Sequence, residues 1–185
     1  NKPKEGSVFD LDDALAANDQ ISYSSAISGP LKRCEENPRY FADQAGKPVY
    51  LTGSHTWSSI QEFLGPDPNK KFDYTAYLDW MVDRRFNFIR GWAWEEASYD
   101  NFSEEKVYID PLPYARTGPG EALDGELKFD LDTFNQQYFD RLRQRVVQAG
   151  ERGIYVSVML FNRWSTRTRG ASKADAWKGH PFNKN

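Results

Sequence analysis

The sequence predicts an α/β fold built on a parallel sheet, and three observations predict it. Runs with strand character alternate with stripes of helical period, in the order strand, helix, strand, helix, strand. The last run, Ile154 to Leu160, is continuously apolar apart from Ser157, as expected of a parallel strand covered on both faces. No repeat of about 20 to 50 residues interrupts this order.

Taken along the chain, residues 1–30 are polar and acidic (FDLDDALAAND), then Ser-rich (SYSSAISG) before Pro30, and read as an extended or flexible lead-in. In RYFADQAGKPVYLTGSHTW two strand-like runs flank Asp43-Gln44-Ala45-Gly46, a hairpin signal in which Gly46 supplies a positive φ. Val49 to Leu51 is expected to be the first parallel strand. Tyr74, Tyr77, Leu78, Met81 and Val82 then fall on one face of a helix capped by Asp73. Phe88 to Trp92 is the second strand, followed by a long loop rich in Gly and Pro. Phe134, Tyr138, Leu142, Val146 and Ala149 mark a second helical stripe, with Asp132 or Thr133 placed to cap it and Gly153 to end it.

Two architectures use this alternation. A doubly wound nucleotide-binding sheet carries a Gly-rich turn after its first strand, whereas here that strand runs into LTGSHTW, with one Gly and no GxGxxG or Walker sequence. A β/α barrel places its chemistry on loops at the C-terminal strand ends, and those loops are long and polar here. The expectation is a partial TIM (β/α)8 barrel: its first three strands and two helices, with an N-terminal hairpin. A whole barrel takes about 250 residues, so residues 31–185 read as its N-terminal part, ending before strand four.

Composition narrows the function. With 24 Lys and Arg against 27 Asp and Glu the formal charge is −3, no footprint for nucleic acid. No apolar run reaches the roughly 18 residues of a membrane span. The N-terminal NKPKEGSVFD has no apolar signal core, yet a trimmed secreted chain would begin the same way, and a secreted or periplasmic location is expected. Cys34 is alone and the histidines are His55 and His180, which argues against a Cys/His zinc site, and no cofactor is expected. Aromatic residues reach 15%, including six tryptophans, many beside polar groups as on a wet binding surface.

The chemistry concentrates in NFIRGWAWEE, residues 87–96, where a buried-looking strand ends in Arg90 and then presents Trp92, Trp94 and Glu95. The loop after the first strand carries His55 and Trp57, and that after the third carries Asn162, Arg163 and Trp164. An indole beside hydrogen-bonding groups at each strand end suits a sugar, whose C–H faces stack while its hydroxyls take directional bonds. Each residue also has a plainer reading. Trp92 and Trp94 suit core packing, Arg90 suits an ion pair with a buried carboxylate, and His55 suits a structural histidine. Glu96 reads by default as a solvated loop charge. From Asn162 onward six Lys or Arg stand against one Asp, read as an active-site loop rather than a polyanion site. Asn101-Phe102-Ser103 matches the N-glycosylation pattern.

The segments NPRYFADQAGKPVYLTGSHTW, YLDWMVDRRFNFIRGWAWEE, FNQQYFDRLRQRVVQAGERGIYVSVMLFNRW and WKGHPFN together resemble the N-terminal half of cellulase-like (clan A type) glycoside hydrolase barrels, in particular the bacterial group of apiosidase-like and collagen-binding barrels. The resemblance covers Pro38 to Asn185 and rests on the order of the segments. It implies that Arg90 organises an active site, that His55 and Trp57 follow the first strand, and that His180-Pro181-Phe182-Asn183 precedes the fourth. It also implies retaining hydrolysis of a plant or microbial polysaccharide or oligosaccharide by two carboxylates on strands four and seven, beyond these residues, so no catalytic residue is assigned here. The alternative is a noncatalytic carbohydrate- or matrix-binding module.

Overall fold

A computed structural model describes residues 26–64, 67, 69, 71–100, 106–122, 125–166 and 176–183. Most of the lead-in, the glycosylation pattern and the basic residues between Arg163 and Lys178 lie outside them.

The expected hairpin is present and gains a third strand. β1 (Lys32–Arg33), β2 (Phe41–Ala42) and β3 (Pro48–Val49) form an antiparallel sheet in that order. The β2–β3 turn closes through the Asp43 carboxylate, which accepts from the Lys47 N–H at 2.9 Å, and Gly46 sits at φ 87°.

The central sheet is parallel, with β6 (Phe88–Gly91) between β4 (Gly53–Ser54) and β11 (Tyr155–Val158). The first parallel strand is therefore Gly53–Ser54, not Val49–Leu51. Val49 is taken by its antiparallel partner Phe41, and the chain is re-aimed by Asn87. The Asn87 side chain accepts from the Thr52 N–H and donates to the Tyr50 carbonyl, both at 2.9 Å, which fixes residues 50–52 against the start of β6. A Cβ on Gly53 would overlap the Phe88 carbonyl oxygen, so the close approach of β4 to β6 requires glycine there.

The helix α1 (Tyr74–Asp83) begins as expected, the Asp73 carboxylate accepting from the Ala76 N–H at 2.9 Å. Tyr74, Leu78 and Met81 are buried with Ile89, Ala149 and Ile154 in one core between helices and sheet. The helix α2 (Gln136–Glu151) starts later than its apolar stripe suggested. Phe134 belongs to β10 (Asp130–Phe134), and the cap is Asn135, whose side chain accepts from the Gln137 N–H. The Asp130 carboxylate accounts for the difference: it binds the Asp132 N–H and the Thr133 hydroxyl, holding the candidate caps in the strand. Both helices end in the same hydrogen-bonded motif, from Phe86 N–H to the Met81 carbonyl and from Ile154 N–H to the Ala149 carbonyl, each 2.9 Å. The left-handed residue is Gly153 in one and Arg85, at φ 56°, in the other.

The stretch expected to be loop holds further strands. β7 (Ser98–Asp100) and β8 (Lys106–Asp110) pair antiparallel with β5 (Glu62–Leu64) in the order β5-β8-β7, and β9 (Tyr114–Ala115) pairs with β10. β11 is shorter than Ile154 to Leu160, and it is only half-buried because β6 flanks one of its edges and the helices cover one face; Leu160 is 75% exposed. The fold is thus mixed α/β with an open parallel sheet. Among the described residues no helix is long and apolar enough to cross a membrane.

One buried charge ties these layers. Glu62 accepts from the Phe72 N–H at 2.8 Å, pairs with Arg141, and lies 3.5 Å from Arg145, whose guanidinium stacks on Tyr74. An open cleft of about 300 Å³ beside it, lined by Phe72, Asp73, Arg141 and Arg145 among others, belongs to this helix-side network, where both arginines face Glu62. Removing one partner of a buried pair strands the other charge. Glu62→Gln is expected to lower unfolding free energy by about 3 kcal/mol, measured by urea denaturation; an unchanged midpoint would rule out this role.

Candidate functional site

The parallel order brings the trailing ends of β4, β6 and β11 to one edge of the sheet, and the predicted site residues gather there in two connected groups. The first is an aromatic rim. His55 stacks on Trp92 at 6.0 Å and 18°, Trp92 stacks on Trp94 at 5.5 Å, and Trp94 meets Trp57 edge to face at 6.0 Å. Strand alternation puts Ile89 in the helix-facing core and Arg90 on the opposite face. The Arg90 guanidinium lies 5.8 Å from the Trp92 ring and reaches the Met159 sulfur at 3.8 Å. Among the described residues no carboxylate pairs with it.

His55 and Arg90 are exposed, Trp92 is half-buried and Trp57 is 44% exposed. Trp94 is different: it is buried, with its indole N–H donated to the Trp57 carbonyl at 3.0 Å. It presents no open face to a ligand and serves as the floor on which the rim rests. Gln61, which sequence reading passed over, fixes that floor. Its side chain accepts from the Trp94 N–H at 2.7 Å and donates to the carbonyls of Trp94 and Pro111 at 2.8 and 2.9 Å.

The second group is polar and largely enclosed. Glu95 accepts from the Asn162 N–H at 3.2 Å and lies 3.6 Å from His180 Nε2. His180 Nδ1 accepts from the Phe182 N–H at 3.1 Å, so a neutral ring carries its proton on Nε2, facing Glu95. Trp177 stacks on the same imidazole at 5.0 Å. The Asn162 side chain accepts from the Trp164 N–H at 3.0 Å, and Trp164 packs against the cluster around Trp94, joining the two groups. Asn162 and His180 are buried and Trp164 is half-buried.

Glu96 overturns its default as a solvated charge: it is fully buried, and it accepts a hydrogen bond from the Ser165 hydroxyl. Burial raises its pKa above the ordinary glutamate value; the Ser165 bond opposes this, and the neighbouring Glu95 charge adds to it. Glu95 is felt on the helix as well. Tyr138 in α2 is pushed up to about 12, mainly by burial and secondarily by that carboxylate. Among the described residues no group of three or more His, Cys, Asp or Glu side chains could hold a metal.

A family model for the catalytic domain of apiosidase-like proteins matches residues 35–182. The chain belongs to that family. This apiosidase-like domain is also similar to the crystal structure of a proposed glycoside hydrolase from Bacteroides vulgatus ATCC 8482, with 18% sequence identity and a TM-score of 0.48. The match covers 75% of this chain and 24% of that one, so the chain spans about a quarter of the other's length. No curated protein matches it. Family membership makes this a glycoside-hydrolase-like domain.

Two outcomes follow for the apiosidase-like domain. Gln61→Ala removes both bonds to the Trp94 main chain and the bond to the Pro111 carbonyl, and is expected to lower unfolding free energy by about 3 kcal/mol and to shift the tryptophan near-UV circular dichroism; an unshifted spectrum would count against the clamp. The raised Glu96 pKa means the folded state holds a proton the unfolded chain has released. This contribution is complete below the unfolded value and is lost as pH rises through the folded one. Glu96→Gln keeps an acceptor for Ser165 and carries no charge. Urea titrations from about pH 4 to about pH 8 should show a smaller decline of stability with pH in the variant than in the parent, and equal slopes would refute the assignment.

Proposed function

We propose that residues 31–185 are the N-terminal part of a (β/α)8 barrel whose full chain is a glycoside hydrolase acting on a plant or microbial polysaccharide or oligosaccharide, with residues 1–30 as a lead-in. The carrying observation is the convergence of the exposed His55, Trp57 and Arg90 and the half-buried Trp92 with the Glu95–Asn162–His180 group at one edge of a parallel sheet. In this reading Trp57 and Trp92 offer faces to a sugar ring, and His55 and Arg90 offer donors to its hydroxyls or to a carboxylate. Trp94, Trp164 and the buried polar group set the positions of those side chains from below. The protein acts outside the cytoplasm, as secreted or periplasmic polysaccharide-degrading enzymes do, without membrane or nucleic-acid partners.

Retaining hydrolysis needs two carboxyl groups about 5 to 5.5 Å apart, one as nucleophile and one as proton donor and then base. Glu95 and Glu96 do not suit these roles: one is held by the Asn162 N–H beside His180, and the other is buried against Ser165. The reading therefore assigns the catalytic pair to later strands and a binding role to these residues. Two measurements test it together. Affinity electrophoresis in gels of soluble polysaccharides is expected to retard the protein, with Trp92→Ala or Arg90→Ala weakening retention about tenfold, equivalent to roughly 1.4 kcal/mol. The purified 185-residue chain is expected to release no product from aryl glycosides. Turnover by that chain would show the catalytic assignment to be wrong, and absence of retention on every polysaccharide would remove the carbohydrate reading.

A further inference from the structure

The helix side of the sheet holds a cleft that the saccharide reading does not use. It measures about 300 Å³ and lies between the start of α1 and the body of α2. That volume is at the lower end of the roughly 300 to 1,000 Å³ of small-molecule clefts, which suits a small ligand. Four of its wall residues, Arg141, Gln144, Arg145 and Gln148, follow the spacing i, i+3, i+4, i+7 and therefore share one face of α2.

Two guanidiniums share one carboxylate in this cleft. Glu62 Oε2 accepts from the Phe72 N–H, and Oε1 is engaged by Arg141, which also donates to the Ile60 carbonyl at 2.7 Å. Arg145 Nη2 stands 3.5 Å from the same Oε1, outside the roughly 2.7 to 3.2 Å of an ordinary N–H···O bond. Among the described residues no other carboxylate pairs with Arg145, and the Tyr74 ring lies 4.1 Å from its guanidinium. The Arg145 side chain is only 12% exposed, yet it lines the cleft, so its remaining donors are reached from there. Burial lowers its pKa and the Arg141 charge adds to this, with Glu62 opposing both. A buried cation with a long bond to a shared partner is stabilised by a further acceptor.

The rest of the wall decides what kind of acceptor fits. Gln144 and Gln148 are exposed and carry amide donors beside Arg145. Asp73 is at the lip, where its carboxylate accepts from the Ala76 N–H as the α1 cap. Glu62 and Asp73 together balance the two arginines, so the cleft has unspent donors without the broad positive field that gathers a polyanion. A compact anion reaches those donors past Asp73, whereas a charged polymer is repelled by it.

We propose that the cleft between α1 and α2 binds a small oxyanion, a phosphate, sulfate or carboxylate group, held by the Arg145 guanidinium and the amides of Gln144 and Gln148. The site stands apart from the saccharide rim and takes no part in bond cleavage. Its occupant gives Arg145 the acceptor that Arg141 otherwise takes, so binding stabilises the packing of α1 on α2.

The test is titration of the 185-residue protein with inorganic phosphate, sulfate and acetate at constant ionic strength. Binding is followed by proton–nitrogen correlation NMR at the Arg145 side-chain Nε–H, whose signal is assigned by its loss in Arg145→Lys. The expected result is a saturable shift at Arg145 that exceeds any shift at the exposed Arg90, together with a melting temperature that rises with anion concentration. Gln148→Glu places a negative charge at an exposed wall position and is expected to weaken binding about tenfold with the fold intact; Gln148→Lys is expected to tighten it. Tightest binding of phosphate or sulfate assigns a tetrahedral anion, and tightest binding of acetate a carboxylate. No saturable shift with any of the three anions overturns the site, as do equal shifts at Arg90 and Arg145. Binding that neither Gln148 variant alters would place the anion elsewhere and refute the assignment. None of these readouts involves polysaccharide, so the failure of this site and the failure of the saccharide reading are separately visible.

Discussion

The geometry of this site depends on a single uncharged side chain. After Gly91 the chain leaves the parallel ladder, and among the described residues no strand pairs with the segment that carries Trp92, Trp94, Glu95 and Glu96. The Gln61 amide takes that place. By engaging the Trp94 N–H and carbonyl together, it reproduces with a side chain the paired bonds that a strand partner would make, and its second donor bond fastens the Pro111 carbonyl beside them. The amide is fully buried, so no water competes for these bonds, and their loss would leave main-chain groups unsatisfied in a low-dielectric interior. The next residue is Glu62, bound to Arg141, Arg145 and the Phe72 N–H, and the Ile60 carbonyl accepts from Arg141 at 2.7 Å. Three consecutive residues thus couple the loop that bears the site to the start of α1 and the middle of α2.

From that anchored point the chain spreads two carboxylates. The two side chains diverge: Glu95 goes to Asn162 N–H and His180, while Glu96 goes to Ser165. Both reach the short 3-10 turn region after β11, and Asn162 and Ser165 are themselves joined by the Ser165 N–H to Asn162 carbonyl bond at 3.0 Å. Two strand ends separated by about seventy residues of sequence are therefore linked through side chains, where the ladder between β6 and β11 has already stopped. The arrangement also separates two adjacent charges. A raised pKa favours the neutral form of Glu96, which relieves the repulsion that two buried neighbouring carboxylates would otherwise impose.

How much of this was legible in the sequence depended on the range of the interactions. The α1 stripe, its Asp73 cap, the hairpin turn at Gly46 and the strand at Phe88 are specified by residues within a turn or two of one another, and each was readable. The convergence of His55, Arg90, Trp92 and Asn162 followed from parallel order alone. The short strands β7 to β10 were not readable, because two to five residues carry too little periodicity to stand out from a loop, and their pairing is fixed by distant partners. The same applies to Glu96 and Trp94. Their burial comes from Ser165 and from the Trp57 carbonyl, 69 and 37 positions away, and nothing next to either residue announces it. Asn135 displaced two nearer-looking caps because the Asp130 side chain had already committed both to a strand.

The arrangement of Arg90 carries the last step. Its neighbour Ile89 turns toward the helices, and Ser157, opposite it on β11, is exposed, so the guanidinium emerges on the sheet face away from the helix core. There it meets an indole face and a thioether, a weak acceptor, and no anion among the described residues. A cation held by stacking keeps its planar orientation while most of its N–H donors stay unspent, because a ring attracts the charge without occupying the fork. The cost of holding an uncompensated charge at a fixed place is modest while it remains in contact with water. It would rise if a barrel wall closed over that face, and a ligand bearing oxygens would then offset it. An arginine placed this way is poorly suited to stabilising the fold and well suited to receiving a partner, which is the physical basis for the binding role proposed for it.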